Sequence, residues 1–157
     1  MKYFIISFIV VSILIGSYFL FFKKDIMISN IKNFEYSTYD GQTKNGNIVY
    51  KIYFDNNKIY ASYKKYGEEK DIKEEIDKDT ISQLEKILNH YKVSNWNNFH
   101  GNNKNVLDGS SFSFYVLYDN DKKIEANGYM KYPSNYQKVD KEIKILFMEI
   151  FHENKRG

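Results

Sequence analysis

The chain is 157 residues long, room for one domain, and carries 23 basic against 20 acidic side chains. Three of the basic residues, Lys2, Lys23 and Lys24, flank one hydrophobic segment, so residues 25–157 are formally neutral and offer a phosphate backbone no net attraction. Cysteine is absent, which excludes disulfides, thiolate metal sites, cysteine nucleophiles and Cys-linked lipid anchors.

Tyr3 to Phe22 reads YFIISFIVVSILIGSYFLFF, an uncharged run. A helix of twenty such residues spans about 30 Å, the thickness of a hydrocarbon core. A cleaved signal peptide needs a short apolar run and small residues at its cleavage site. Here the small pair Gly16-Ser17 is followed by Tyr18, Phe19, Leu20, Phe21 and Phe22. The expectation is a retained transmembrane anchor over 1–24, a linker over 25–32 and a soluble domain over 33–157. Lys23 and Lys24 outweigh Lys2, which by the positive-inside rule points the domain to the cytoplasm. A tiny basic head before a hydrophobic segment and a folded domain is, however, the usual export arrangement. The expected product is a single-pass cell-membrane protein, held by residues 3–22, with its domain outside.

Asn33 to Asp40 reads as a first strand, closed by the turn dipeptide Asp40-Gly41. In GNIVYKIYFDNNKIYASYKKY, a type I′ turn at Asn56-Asn57 sets Phe54 opposite Ile59, Ile52 opposite Ala61 and Tyr50 opposite Tyr63. Ile48, Tyr50, Ile52, Phe54, Ile59 and Ala61 then share one face, and Lys51, Ser62 and Lys64 the other. A short strand fits around Asp71 to Ile76. Ile81, Leu84, Leu88 and Tyr91 recur at helical spacing behind a Thr80–Gln83 capping box, predicting a helix from Thr80 to Tyr91.

Ser94 to Ser111 is polar and Asn-rich and reads as a long irregular loop around Trp96 and Phe99. Phe112, Phe114, Val116 and Tyr118 then alternate along a strand. A three-residue loop pairs Tyr118 with Ile124 and Val116 with Ala126, whereas a two-residue Asn120-Asp121 turn would put Ile124 on the wrong face. After Pro133, a Ser134–Gln137 capping box and the stripe Val139, Ile143, Leu146, Phe147 and Ile150 predict a final helix ending near His152. The order β-β-β-(β)-α-β-β-α is that of an α+β fold, an antiparallel sheet with two helices on one face.

The chemistry is sparse. His90 and His152 fall near helix ends, where an imidazolium suits the dipole. His100 shares the long loop with Asp108, Ser110 and Ser111, but no G-x-S-x-G elbow frames a catalytic triad. No zinc-type histidine pair, calcium loop or Gly-rich phosphate loop occurs, so neither metal nor cofactor is expected. Fifteen tyrosines stand out, although Lys, Asn, Ile, Tyr and Phe are all favoured by A/T-rich codons. Tyr53 and Tyr60 fall on the hairpin face opposite the core and are candidate binding residues, unless a second layer such as the final helix covers them. Trp96, His100 and Asp108 are the loop's candidates.

Trp96, Val106-Leu107-Asp108-Gly109, Gly128, Tyr132-Pro133 and Tyr136 form a pattern. It resembles one that recurs in an uncharacterised family of small bacterial membrane-anchored proteins and lipoproteins. The resemblance covers the C-terminal half of the domain, and implies a fold and a membrane location without catalytic residues. This chain has Phe112 or Phe114 where such proteins often carry an aromatic, and no Cys for a lipid anchor. The functional expectation is a non-catalytic, extracytoplasmic interaction module with a membrane or envelope protein partner and no nucleic acid. The alternatives are a cell-envelope hydrolase using the 94–111 loop and a cytoplasmic-side regulator of a membrane complex.

Overall fold

A computed structural model describes residues 26–41, 47–65, 67–119 and 121–153. The hydrophobic segment 3–22 lies outside them, and no described helix is long and apolar enough to cross a membrane. Four strands come first, β1 (Asn33–Tyr39), β2 (Asn47–Asp55), β3 (Lys58–Lys65) and β4 (Ile72–Ile76). Helix α1 (Lys78–His90) and a 3-10 turn over Val93–Trp96 lead to β5 (Phe99–Asn102), β6 (Ser111–Tyr118) and β7 (Lys122–Tyr129). Helix α2 (Tyr136–Glu153) follows.

The strands form one seven-stranded sheet in the order β4-β3-β2-β1-β6-β7-β5. The expected β2–β3 register is present, with Phe54 opposite Ile59, Ile52 opposite Ala61 and Tyr50 opposite Tyr63. Asn56 and Asn57 take φ of 49° and 64°, the left-handed values a type I′ turn requires and asparagine tolerates.

The β6–β7 loop has the expected three residues but starts one position earlier. Tyr118 therefore faces Lys122, Val116 faces Ile124 and Phe114 faces Ala126. Each partner moves by two, so Ile124 and Ala126 stay on the core face, and burial alone cannot separate the two registers. Asp119 separates them. Its N–H donates to the Ser29 carbonyl at 3.0 Å and its carboxylate accepts the Ser29 hydroxyl at 2.8 Å, which draws residue 119 into the turn. The Ser29 bond first, then those of Asn30 and Lys122, hold this carboxyl below the usual aspartate range.

Both helix starts differ from the expected capping boxes. Asp77 caps α1, its carboxylate accepting the Thr80 N–H and the Thr80 hydroxyl, each at 2.9 Å. Aspartate caps at least as well as threonine, so the helix begins two residues earlier, at Lys78. In α2 the Asn135 carbonyl accepts the Lys138 and Val139 N–H groups at 3.0 and 3.1 Å, while the Ser134 carbonyl is taken by Trp96.

The fold is α+β as expected, but the sheet is mixed rather than antiparallel. The stretch read as one irregular loop contains the 3-10 turn and β5, which runs parallel to β7 with Phe99 beside Ala126 and Gly101 beside Gly128. Four residues, FHGN, hold too little alternation to read as a strand. A Cβ on Gly101 or Gly128 would meet the Lys131 carbonyl, so only glycine lets the chain cross so close above this edge.

Every buried hydrophobic residue of the strands lies on one face of the sheet. Onto it α1 brings Ile81, Leu84 and Leu88, and α2 brings Val139, Ile143, Leu146 and Phe147. Phe147 lies 6.3 Å from Phe34 and 4.9 Å from Tyr50, ring centre to ring centre. Ile28 and Ile31 enter the same core, although 25–32 read as a linker. Asn89 grips Ile28 with both halves of its amide, accepting the N–H and donating to the carbonyl at 2.8 Å each, and Glu85 accepts the Ile31 N–H at 3.1 Å.

Candidate functional site

With both helices on one face, the other face of the sheet carries only exposed or half-buried side chains, apart from Ser62. Its centre is built by strand register. Glu35, Lys51, Ser62 and Lys73 stand in one row across β1 to β4, and Tyr53, Tyr60 and Glu75 in the next. Ser62 is small and buried between its cross-strand neighbours Lys51 and Lys73, so it forms a floor between two long side chains.

Tyr53 and Tyr60 pack as a cross-strand pair with ring centres 5.9 Å apart. The final helix does not cover them; the Lys73 ammonium does, 3.5 Å from the Tyr60 ring centre and 5.3 Å from that of Tyr53. Around this cation–π cluster run ion pairs, Lys51–Glu35 at 3.1 Å, Lys58–Glu75 at 2.7 Å and Lys73–Asp55 at 4.0 Å. Exposed pairs of this kind contribute about 0–1 kcal/mol each. They can therefore be exchanged for a partner's charges at small cost, while the tyrosines supply flat amphipathic area.

The other sequence candidates do not converge on one site. Trp96 is 2% exposed and belongs to the core. Its indole N–H donates to the Ser134 carbonyl at 2.9 Å, and its ring meets Phe114 at 5.4 Å and Phe112 and Tyr136 at 6.1 Å. His100 points outward from β5, its Nδ1 2.9 Å from the side-chain amide nitrogen of Asn127. That contact makes Nδ1 the acceptor and leaves the proton of the neutral ring on Nε2. No hydrogen bond joins His100 to Asp108, Ser110 or Ser111. The described residues include no cluster of three metal-ligating side chains.

Asp108 is exposed and bonds no described residue, while the Ser110 N–H meets the Met130 sulfur at 3.2 Å. Tyr129 organises the loop instead. Its hydroxyl accepts the Gly109 N–H at 3.0 Å and donates toward the Leu107 carbonyl at 2.8 Å, holding out a Leu107 side chain that is 93% exposed. Tyr129 faces outward on β7, and only the fold brings it under a loop some twenty residues earlier. Asp108→Ala is accordingly expected to change the free energy of unfolding by less than about 0.5 kcal/mol, and Tyr129→Phe to lower it by about 1 kcal/mol. Urea unfolding of the two variants checks the contrast; a larger loss for Asp108→Ala than for Tyr129→Phe would make the carboxylate the loop's organiser.

No family model matches the chain, and no curated protein is significantly similar to it.

Proposed function

We propose that this chain is a non-catalytic interaction module, anchored in the cell membrane by residues 3–22, whose extracytoplasmic domain engages a membrane or envelope protein through the open sheet face. The observation that carries this reading is the Tyr53–Tyr60–Lys73 cluster with its rim of exchangeable ion pairs on the face the helices leave free. The length and apolarity of residues 3–22 support the anchor. Ile28, already packed in the core, stands six positions beyond Phe22, which would hold the domain close to the bilayer. The pattern shared with small bacterial membrane-anchored proteins points the same way.

The hydrolase reading has less behind it, because His100 meets an amide rather than a serine or a carboxylate. The regulator reading turns on sidedness, which protease shaving of intact cells decides. A photo-crosslinking residue at Leu117, on the open face, is expected to join the chain to one discrete membrane or envelope protein. The same residue at Lys86, on α1, is not. Capture should survive His100→Ala and fail when Tyr53 and Tyr60 are both replaced by alanine. Equal adducts from both positions, or a hydrolytic activity lost in His100→Ala, would sink the proposal.

A further inference from the structure

On the helix-covered side, away from the open face, a cavity of about 330 Å³ opens between β2, β3, β4 and the last turns of α2. That is within the usual range of small-molecule sites, about 300–1,000 Å³. Its bed is aromatic and held by ring contacts that exist without any ligand. Tyr50 meets Phe147 at 4.9 Å, Tyr63 meets Phe151 edge-on at 4.8 Å, and Phe147 stacks on Phe151 at 6.4 Å. The lip is apolar too, where Ile72 is 41% and Met148 58% exposed beside the opening.

The polar groups of the lining are mainly donors. Tyr50, Tyr63 and Lys65 make no side-chain hydrogen bond or ion pair with a described residue. Tyr50 is only 9% exposed, yet no buried polar side-chain atom among the described residues lacks a partner. Its hydroxyl must therefore reach accessible space, and the space it lines is this cavity. Burial, with Asp140 and Tyr63 adding to it, pushes the Tyr50 phenol up to about 12, so it stays protonated and able to donate. His152 also lines the cavity and carries a ring N–H that can donate. Among the described lining residues Glu74 is the one carboxylate, and it already has a partner.

The geometry points to a binding site for a small amphipathic carboxylate, its apolar body on the four rings and its carboxylate held by Lys65 and the tyrosine hydroxyls. An apolar body satisfies the bed without leaving polar atoms dry, and an anion answers an ammonium and two hydroxyls that no described side chain engages. This site lies on the opposite side from the sheet face, so it holds whether or not that face has a partner.

The test uses the full chain in lipid nanodiscs with ¹³C-labelled methionine methyls. Met148 reports on the cavity, and Met130, beside the β5–β7 edge, serves as the internal control. Titration with 2-naphthoate is expected to shift the Met148 methyl saturably and leave Met130 in place. Lys65→Gln is expected to weaken 2-naphthoate by about tenfold and leave the neutral 2-naphthamide unchanged. Ile72→Trp, which fills the lip, should abolish both. Unchanged methyl positions in the ligand-free variants show that they are folded. A Met148 signal that 2-naphthoate does not move overturns the proposal. So does 2-naphthylmethylamine binding as tightly as the carboxylate, or Lys65→Gln weakening acid and amide alike.

Discussion

Trp96→Ala is expected to lower the stability of the domain by about 3–5 kcal/mol, the range for deleting a large aromatic side chain from a packed core. The indole is 2% exposed and wedged among Phe112, Phe114 and Tyr136, so its removal leaves a cavity bounded by rings from β6 and α2. It also orphans the Ser134 carbonyl just ahead of α2, which the indole N–H now satisfies at 2.9 Å. Trp96→Phe keeps much of the volume but not the donor, and should fall between the alanine variant and the native chain. Trp96 is the only tryptophan, so the unfolding of all three proteins is best followed by far-ultraviolet circular dichroism in urea. An alanine variant with a native midpoint would remove Trp96 from the core. A stable variant that has lost its partner would return it to the binding surface.

Tyr36→Phe is expected to cost about 1.5 kcal/mol at neutral pH, the lower end for a hydrogen bond to a charged group. Tyr36 is fully buried; its hydroxyl donates to Asp140 at 2.7 Å and lies 3.1 Å from the Tyr136 hydroxyl. Lys144 also reaches Asp140, at 2.9 Å, so the carboxylate keeps one partner when Tyr36 loses its oxygen. The larger consequence appears at high pH. Burial, aided by Tyr136 and Asp140, holds the Tyr36 phenol far above its ordinary 10.0, and burial also raises Tyr136. The folded chain thus keeps protons that the unfolded chain releases near pH 10. The stabilisation is whole below that pH and is lost as pH climbs beyond it, by about 1.4 kcal/mol per pH unit for each retained proton. Phenylalanine removes one such proton, so native chain and variant should converge in stability above about pH 10. Urea midpoints at several alkaline pH values measure this, and two parallel declines would assign the titration to other groups.

Much of this architecture was legible along the chain. Asn56-Asn57 set between two alternating runs predicts a hairpin with its register, because the turn and the burial pattern each select the same pairing. The two apolar stripes predict both helices, although each begins on a residue other than the one the capping-box reading favours. The candidate site was half legible. Tyr53 and Tyr60 were placed on the outer face by parity alone, whereas the cation that covers them comes from β4, a strand with little pattern of its own. Trp96, His100 and Asp108 looked alike as loop residues; one is core, one is an edge residue paired with an amide, and one is an exposed residue that bonds no described side chain.

Local periodicity and turn chemistry by themselves determined the α+β class, the β2–β3 register, the existence of both helices and the sidedness of the central strands. These are short-range properties, set by which face of an element repels water. The β6–β7 register, the strand β5 and the packing of Ile28 and Ile31 were decided only by the tertiary structure. The first turns on a Ser29–Asp119 contact ninety residues apart, and the second on two glycines that let the chain pass beneath the Lys131 carbonyl. The third depends on amide and carboxylate groups of α1 that meet the backbone of Ile28 and Ile31 only once the core has formed. Contacts between distant residues leave no periodic trace, and here they choose between pairings that burial energy alone leaves equal.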